Sequence, residues 1–279
     1  MRVLVCAQRD LVVCVALNRL LPQLGDHEVA VALNRPSPGD PTAADPLRRQ
    51  RWFERGLVDE VVFPPLDSRP HPAGELLTFH HLSRAHGIGF QDVQRVNTGD
   101  GLAFAQAFRP DLILSVRFDL IFKEPVLSLP SLGILNIHPG ALPEYAGLAA
   151  PMRTLIAGEQ KLTSTLHEID RGIDTGPVIA SHELPYDRGR SLFWHLTRLY
   201  ELGVDLFLQE LPGLAEGRRP PARPQDRTHR HYHSKPTPQE IETFEQLGFR
   251  FLLERDYEEV VKRFGGTPPE YPEHGAPVS

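Results

Sequence analysis

Two hydrophobic patterns alternate along the chain: short apolar runs, and longer segments whose apolar positions recur every three or four residues. VLVCA (3–7) predicts a buried strand, and residues 10–24 a helix that ends near Leu24-Gly25. EVAVAL (28–33) predicts a second strand. NRPSPGDPTAADP (34–46) holds too many breakers for regular structure and predicts a loop. VDEVVF (58–63) predicts a short third strand. Residues 73–86 predict a helix with Leu76, Leu77, Phe79 and Leu82 as its apolar positions, ending before Gly87. GLAFAQAF (101–108) predicts another helix, and DLILSV (111–116) a strand buried on both faces. GILNI (133–137), TSTLHEI (163–169) and PVIASHEL (177–184) complete the strands, and 190–211 is the longest periodic helix. Strands alternating with helices predict an α/β fold, a Rossmann-like and mostly parallel sheet with helices on both faces. The chain shows no internal repeat.

The character changes after Leu214, where AEGRRPPARPQDRTHRHYHSKPTP is rich in Pro, Arg and His. A boundary is expected near 215, dividing a main domain (1–214) from an extension (215–279) with helices at 237–246 and 256–264 and a mobile Pro-rich tail.

With 279 residues and 41% hydrophobic content, the chain can bury a sizeable core. A net charge of -6 argues against a general nucleic-acid binder. The opening MRVLVCAQRDLVVCVAL carries Arg2, Arg9 and Asp10, so it predicts a strand and helix rather than a signal peptide. No uncharged apolar run approaches the ~18 residues of a membrane span. Cys6 and Cys14 make no disulfide framework, so both are expected to be small buried residues in a cytoplasmic protein.

The turn after the first strand, AQRDLVV, has no glycine, which argues against a dinucleotide or P-loop site. No Cys or His pair has zinc spacing, and no metal is expected. His229, His231 and His233 alternate in a basic segment and predict a solvated or substrate-facing loop. His80-His81 is expected at the surface, and Trp194 and Tyr200 in the core. Asn136 and His138 stand two apart at a strand's carboxyl end, where open parallel sheets bind ligands. TLHEIDRGIDTGPVI (165–179) places His167 on a strand and Asp174 in a glycine-rich turn that folds back if tight. Amide, imidazole and carboxylate, with no Ser or Cys nucleophile, suit acyl transfer to an external amine. Asn136 would donate to the oxyanion, His138 would relay the amine proton or steady charge, and Asp174 would orient the imidazole.

LNIHPGALPEYAG followed by TLHEIDRGIDTGPVI resembles the signature of the folate-dependent formyltransferases, with Asn136 and Asp174 38 positions apart. This resemblance spans about residues 1–210. It implies a Rossmann-like domain that takes 10-formyltetrahydrofolate as co-substrate, with Asn136, His138 and Asp174 as catalytic trio and His167 supporting the aspartate loop. It also implies a pterin site among Phe118, Leu120, Ile121, Gly140, Asp170 and Gly172. Two positions depart from the family pattern. Ala146 stands where many members have Arg, and Arg117 where many have Gly. Arg117 is expected either to meet the folate tail or an anionic acceptor, or to cap a strand at the surface.

Within the family, the missing phosphate loop argues against glycinamide ribonucleotide as acceptor. The short extension argues against methionyl-tRNA. A small-molecule amine remains, above all a nucleotide-linked amino sugar, with hydroxyornithine as rival. Tyr145, Arg230, Tyr232, His233 and Lys235 are expected to pair with its phosphates or stack on its base. The extension would then bind acceptor or make a homodimer contact. A non-catalytic folate-binding module is the alternative outside enzymes.

Overall fold

A computed structural model describes residues 1–43, 45–71 and 75–268. The tail expected to be mobile lies mostly outside these residues, as do positions 73 and 74 of the expected 73–86 helix. The chain begins with β1 (Arg2–Gln8), α1 (Leu11–Leu20) and β2 (Glu28–Asn34). Next come α2 (Pro46–Arg51), two π-helical turns (Trp52–Gly56 and Val58–Val62) and α3 (Phe63–Asp67). Then follow α4 (Phe79–His86), β3 (Phe90–Val93), α5 (Gly99–Phe108), β4 (Leu112–Val116) and β5 (Ile134–His138). A short β6 (Ala146–Gly147) leads to α6 (Ala150–Ile156), β7 (Lys161–Glu168), β8 (Val178–Pro185) and the long α7 (Leu192–Ala215). The chain closes with β9 (Tyr232–His233), α8 (Pro238–Gln246) and α9 (Glu254–Arg263).

The strand order is β3-β2-β1-β4-β5-β7-β8. The first five are mutually parallel, while β7 runs antiparallel to β5 and β8 antiparallel to β7. The expected mostly parallel sheet is present. Its antiparallel edge sets Asn136 directly beside His167, and His138 beside Thr165. Side chains alternate across β1: Val3, Val5 and Ala7 enter one apolar cluster with α1 and α7, and Leu4 and Cys6 enter another with Ala105 of α5. Helices therefore cover both faces.

One strand was misassigned by pattern alone. VDEVVF (58–63) is helical, because Phe53, Leu57, Val58, Val62, Phe63 and Leu66 are buried at helical spacing while Val61 is exposed. The short α2, α6 and edge strand β3 carry too little periodicity to stand out. The helix expected from 73 begins at Phe79, after Thr78 accepts a cap bond from the His81 amide.

Gly203 of α7 faces Ile137 of β5 so closely that a Cβ there would lie 2.1 Å from Ile137 Cγ2. The helix thus packs directly against the strand that carries Asn136 and His138. The extension also joins this core. Phe244, Phe249, Phe251, Tyr257 and Phe264 are buried in the same cluster as α1 and α7. Asp256 accepts bonds from the Ser191 amide and hydroxyl at 2.6 and 2.7 Å, at the start of α7.

Candidate active site

His138 is the last residue of β5 and is 4% exposed. Its Nε2 lies 2.8 Å from the Tyr145 carbonyl oxygen, and its Nδ1 lies 3.6 Å from Asp174 Oδ2. Both ring nitrogens therefore face acceptors, and a proton on either has a partner. Asn136 Nδ2 lies 3.0 Å from His167 Nε2. His167 Nδ1 is 2.8 Å from the Glu168 carbonyl, which assigns its proton to Nδ1 and leaves Nε2 to accept from the amide. The second N–H of the Asn136 amide remains to donate elsewhere. His167 Nε2 also stands 3.5 Å from Asp174 Oδ1. Asn136, His138, His167 and Asp174 thus form one cluster.

The local sequence explains why they meet. Gly140 lets the chain turn beside the imidazole, since a Cβ there would lie 2.9 Å from His138 Nε2 and 2.6 Å from Ala150 Cβ. Thr165 of β7 donates to the Gly140 carbonyl at 2.7 Å. In the 170–176 loop, Asp170 accepts from the Gly172 amide at 2.9 Å and from the Thr175 hydroxyl. Asp174 itself takes the left-handed backbone, with φ 51°. Gly176 fits where a Cβ would strike the Glu168 carbonyl at 1.9 Å, so the loop returns tightly onto β7. Its carboxylate accepts the Gly147 amide of β6 at 2.7 Å. Burial opposes the charge on Asp174, but the His138 ring beside it and the Gly147 N–H favour it. The carboxyl is held well below its ordinary range.

The remaining predicted site residues are spread over neighbouring loops. Tyr145 follows the turn and its ring stacks on His233, centroids 6.3 Å apart. Phe118, Leu120 and Ile121 lie on the loop after β4; Phe118 stacks on Phe122, and Ile121 is 52% exposed. A cavity of about 250 Å³ opens between Glu124, Leu127, Ile134, Asp170, Arg171 and Arg219. Arg230 donates to the Ile173 carbonyl at 2.9 Å and lies over the Tyr232 ring. Tyr232 and Lys235 are exposed.

Arg117 is elsewhere, and it is not a surface cap. Its side chain is 17% exposed and pairs with Glu54 at 2.7 Å and Asp10 at 3.3 Å. Burial works against its charge, but the two carboxylates hold its pKa above the ordinary value. Asp10 accepts the Val13 amide at 2.8 Å as N-cap of α1, so a carboxylate of the chain itself occupies the position where a dinucleotide fold would hold phosphate.

Sequence reasoning missed Arg153, Gln225 and Glu240. Arg153 is 7% exposed; it donates to the Leu148 and Ser234 carbonyls and forms a forked pair with Glu240 at 2.8 and 3.0 Å. The Thr237–Glu240 capping box was readable at the start of α8, but its link to Arg153 was not. Gln225 Nε2 donates to the Asp174 carbonyl at 3.1 Å and the Gly176 carbonyl at 2.6 Å. Among the described residues no group of three or more His, Cys, Asp or Glu is placed to hold a metal, and no helix is long and apolar enough to cross a membrane.

An imidazole, a depressed carboxylate and an amide donor thus stand together near the carboxyl end of β5. Residues 92–209 match the formyl transferase family model. The methionyl-tRNA formyltransferase of Halorhodospira halophila is 32% identical over 167 residues, covering 59% of this chain and 53% of that protein. The chain thus spans about half the length of this curated relative. A sugar 3N-formyl transferase solved in the presence of dTDP and 5-N-formyl-THF shares the fold, with a TM-score of 0.57 at 18% identity, over 91% of this chain and 80% of that one. Glycinamide ribonucleotide transformylase 1 from Symbiobacterium toebii shares it too, with a TM-score of 0.54 at 20% identity, over 81% of this chain and 94% of that one.

Proposed function

We propose that this protein transfers a formyl group from 10-formyltetrahydrofolate to the primary amine of a small molecule, above all a nucleotide-linked amino sugar. The observation that carries the reading is the meeting of Asn136, His138 and Asp174, with His138 Nδ1 3.6 Å from Asp174. The amine attacks the formyl carbon and forms the new C–N bond. Charge grows on the formyl oxygen, where the unused N–H of Asn136 donates and the His138 ring, held between the Tyr145 carbonyl and Asp174, steadies it. The bond from carbon to N10 of the folate then breaks. The proton lost by the amine passes by way of the His138–Asp174 pair to N10, so atoms and charge balance.

Folate is assigned to the loop carrying Phe118, Leu120 and Ile121, together with Gly140, Asp170 and Gly172. The cavity beside Asp170 offers apolar walls in Leu127, Ile134 and Ile169, and cations in Arg171 and Arg219. The acceptor is assigned to Tyr145, His233 and exposed Tyr232, which offer rings for a base, and to Lys235, which offers charge for phosphates. The structural neighbour solved with dTDP supports a nucleotide-linked acceptor. A second reading, methionyl-tRNA, is supported by the curated relatives that match in sequence.

The test is direct. The protein is incubated with 10-formyltetrahydrofolate and, separately, a dTDP-linked amino sugar, hydroxyornithine or methionyl-tRNA, and formylated product is read by mass spectrometry. The expected result is a gain of one formyl group on the nucleotide sugar. Product only on methionyl-tRNA would move the acceptor to the second reading. No product with any acceptor, together with no melting shift from folinic acid, would refute formyl transfer.

A further inference from the structure

The loop that carries Asp174 has a carbonyl edge, and that edge is held from outside the stretch that matches the family. Gln225 donates to the carbonyls of Asp174 and Gly176 at 3.1 and 2.6 Å. Arg230 donates to the carbonyl of Ile173 at 2.9 Å, and Arg227 lies 3.8 Å from the Asp170 carboxylate. Just before them, Arg223 exchanges backbone hydrogen bonds with Val178, both at 2.8 Å, at the start of β8. Just after them, β9 pairs with β6, and Gly147 of β6 donates its amide to Asp174 Oδ2. The segment 223–233 therefore grips Asp174 twice, at its backbone through Gln225 and at its carboxylate through the β6–β9 ladder.

Resting on the formyl-transfer reading above, we propose that residues 223–233 form a strap that positions the catalytic Asp174, with Gln225 as its principal positioning residue. Asp174 needs such support. A non-glycine residue at φ 51° pays a conformational penalty that the surroundings must outweigh. Gly172 and Gly176 on either side allow close approaches, to Thr175 and to the Glu168 carbonyl, but supply no side chain to hold the loop. A loop displaced by about an ångström can lose on the order of 100-fold in rate. Gln225 is half-buried with one amide nitrogen serving two carbonyls, an arrangement that a shorter or acidic side chain does not reproduce. Arg230 and Arg227 reach the same loop from more exposed positions and are the weaker members.

The experiment compares wild type with Gln225→Ala, Gln225→Glu and Asp174→Asn, using 10-formyltetrahydrofolate and whichever acceptor the panel above identifies. Gln225→Glu keeps the shape of the side chain and removes its donor. Both Gln225 variants should lower kcat by about 10- to 100-fold, leave KM for the folate within about twofold, and keep the folinic acid melting shift. The acid limb of the kcat profile should move to higher pH, because a loosened Asp174 loses the contacts that favour its charge; a purely structural role would not move it. Amide exchange in residues 172–176 should accelerate. Unchanged kcat and pH profile in both Gln225 variants, with Asp174→Asn inactive, would overturn the strap alone. A fully active Asp174→Asn would overturn the role of Asp174 and the strap with it while leaving formyl transfer standing; a wild type with no turnover on any acceptor and no folinic acid melting shift would overturn the formyl-transfer reading itself.

Discussion

Two polar clusters stand at the carboxyl edge of the sheet, and they have opposite characters. At the end of β1 and β4, Asp10 and Glu54 converge on Arg117 in a buried ion cluster, with Gln50 donating to Glu54 at 2.6 Å. At the end of β5 and β7, Asn136, His138, His167 and Asp174 leave an amide N–H unspent and two imidazoles around one carboxylate. The strand order turns at β1 and β4, the point where an open α/β sheet ordinarily binds its ligand. Here the chain's own charges fill that point, and the set proposed to react lies one strand away. A buried charge cluster is thus not by itself a sign of catalysis. The difference lies in which groups still have hydrogen-bonding capacity to offer.

The two clusters should separate cleanly under mutation. Asn136→Ala and His138→Ala should each lower formyl transfer by about 10²- to 10³-fold, measured as product formed per enzyme, with folinic acid binding retained. Asn136→Ala should leave stability within about 1 kcal/mol in urea denaturation. Arg117→Met should do the reverse. It strands two buried carboxylates and should cost about 3–5 kcal/mol in the same denaturation experiment, while the folded fraction keeps its turnover. If Arg117→Met instead abolished turnover at full stability, the contrast would collapse and the ion cluster would belong to the site.

Acid should sharpen the distinction. Asp174 is held well below its ordinary range, and Glu240 is lowered to about 2, first by its bond from Arg153. A carboxylate depressed in the folded state stabilises above its unfolded pKa of about 4, and that contribution is lost as pH falls through the folded value. Wild-type stability should therefore decline as pH drops from about 4 towards 2. In Arg117→Met the stranded carboxylates are raised instead, so the extra instability should ease as pH falls through neutrality. Equal pH slopes for the two proteins in thermal unfolding would count against this assignment. The smallest effect is expected at the acceptor side. Tyr232→Ala should reduce the melting shift given by dTDP, corresponding to about 1 kcal/mol of lost stacking, without changing that given by folinic acid.

The meeting of Asn136, His138 and Asp174 was legible in the sequence because these residues are close along the chain and obey simple rules. A period-two strand places Asn136 and His138, and a glycine-bracketed turn returns Asp174 to them. The sheet was legible for the same reason, since DLILSV and GILNI are apolar runs of the kind a sheet covered on both faces buries. Arg117 was not, because its partners at positions 10 and 54 are distant and no local pattern links them. The helix from 46 to 67 was lost to two prolines and an apolar run that fits either period. Gln225 sits in a Pro- and Arg-rich run without periodicity, so nothing near it in sequence announces the carbonyls it meets 49 and 51 positions back.

The strap also sets an order of events. Asn136, His138, His167 and Asp174 are made within one short run, on strands that pair with near neighbours and close quickly. The segment that grips the aspartate loop leaves the ribosome afterwards, and the buried aromatics of α8 and α9 that anchor it later still. A nascent chain can thus hold a folded sheet and every reactive side chain while its aspartate loop is still unheld.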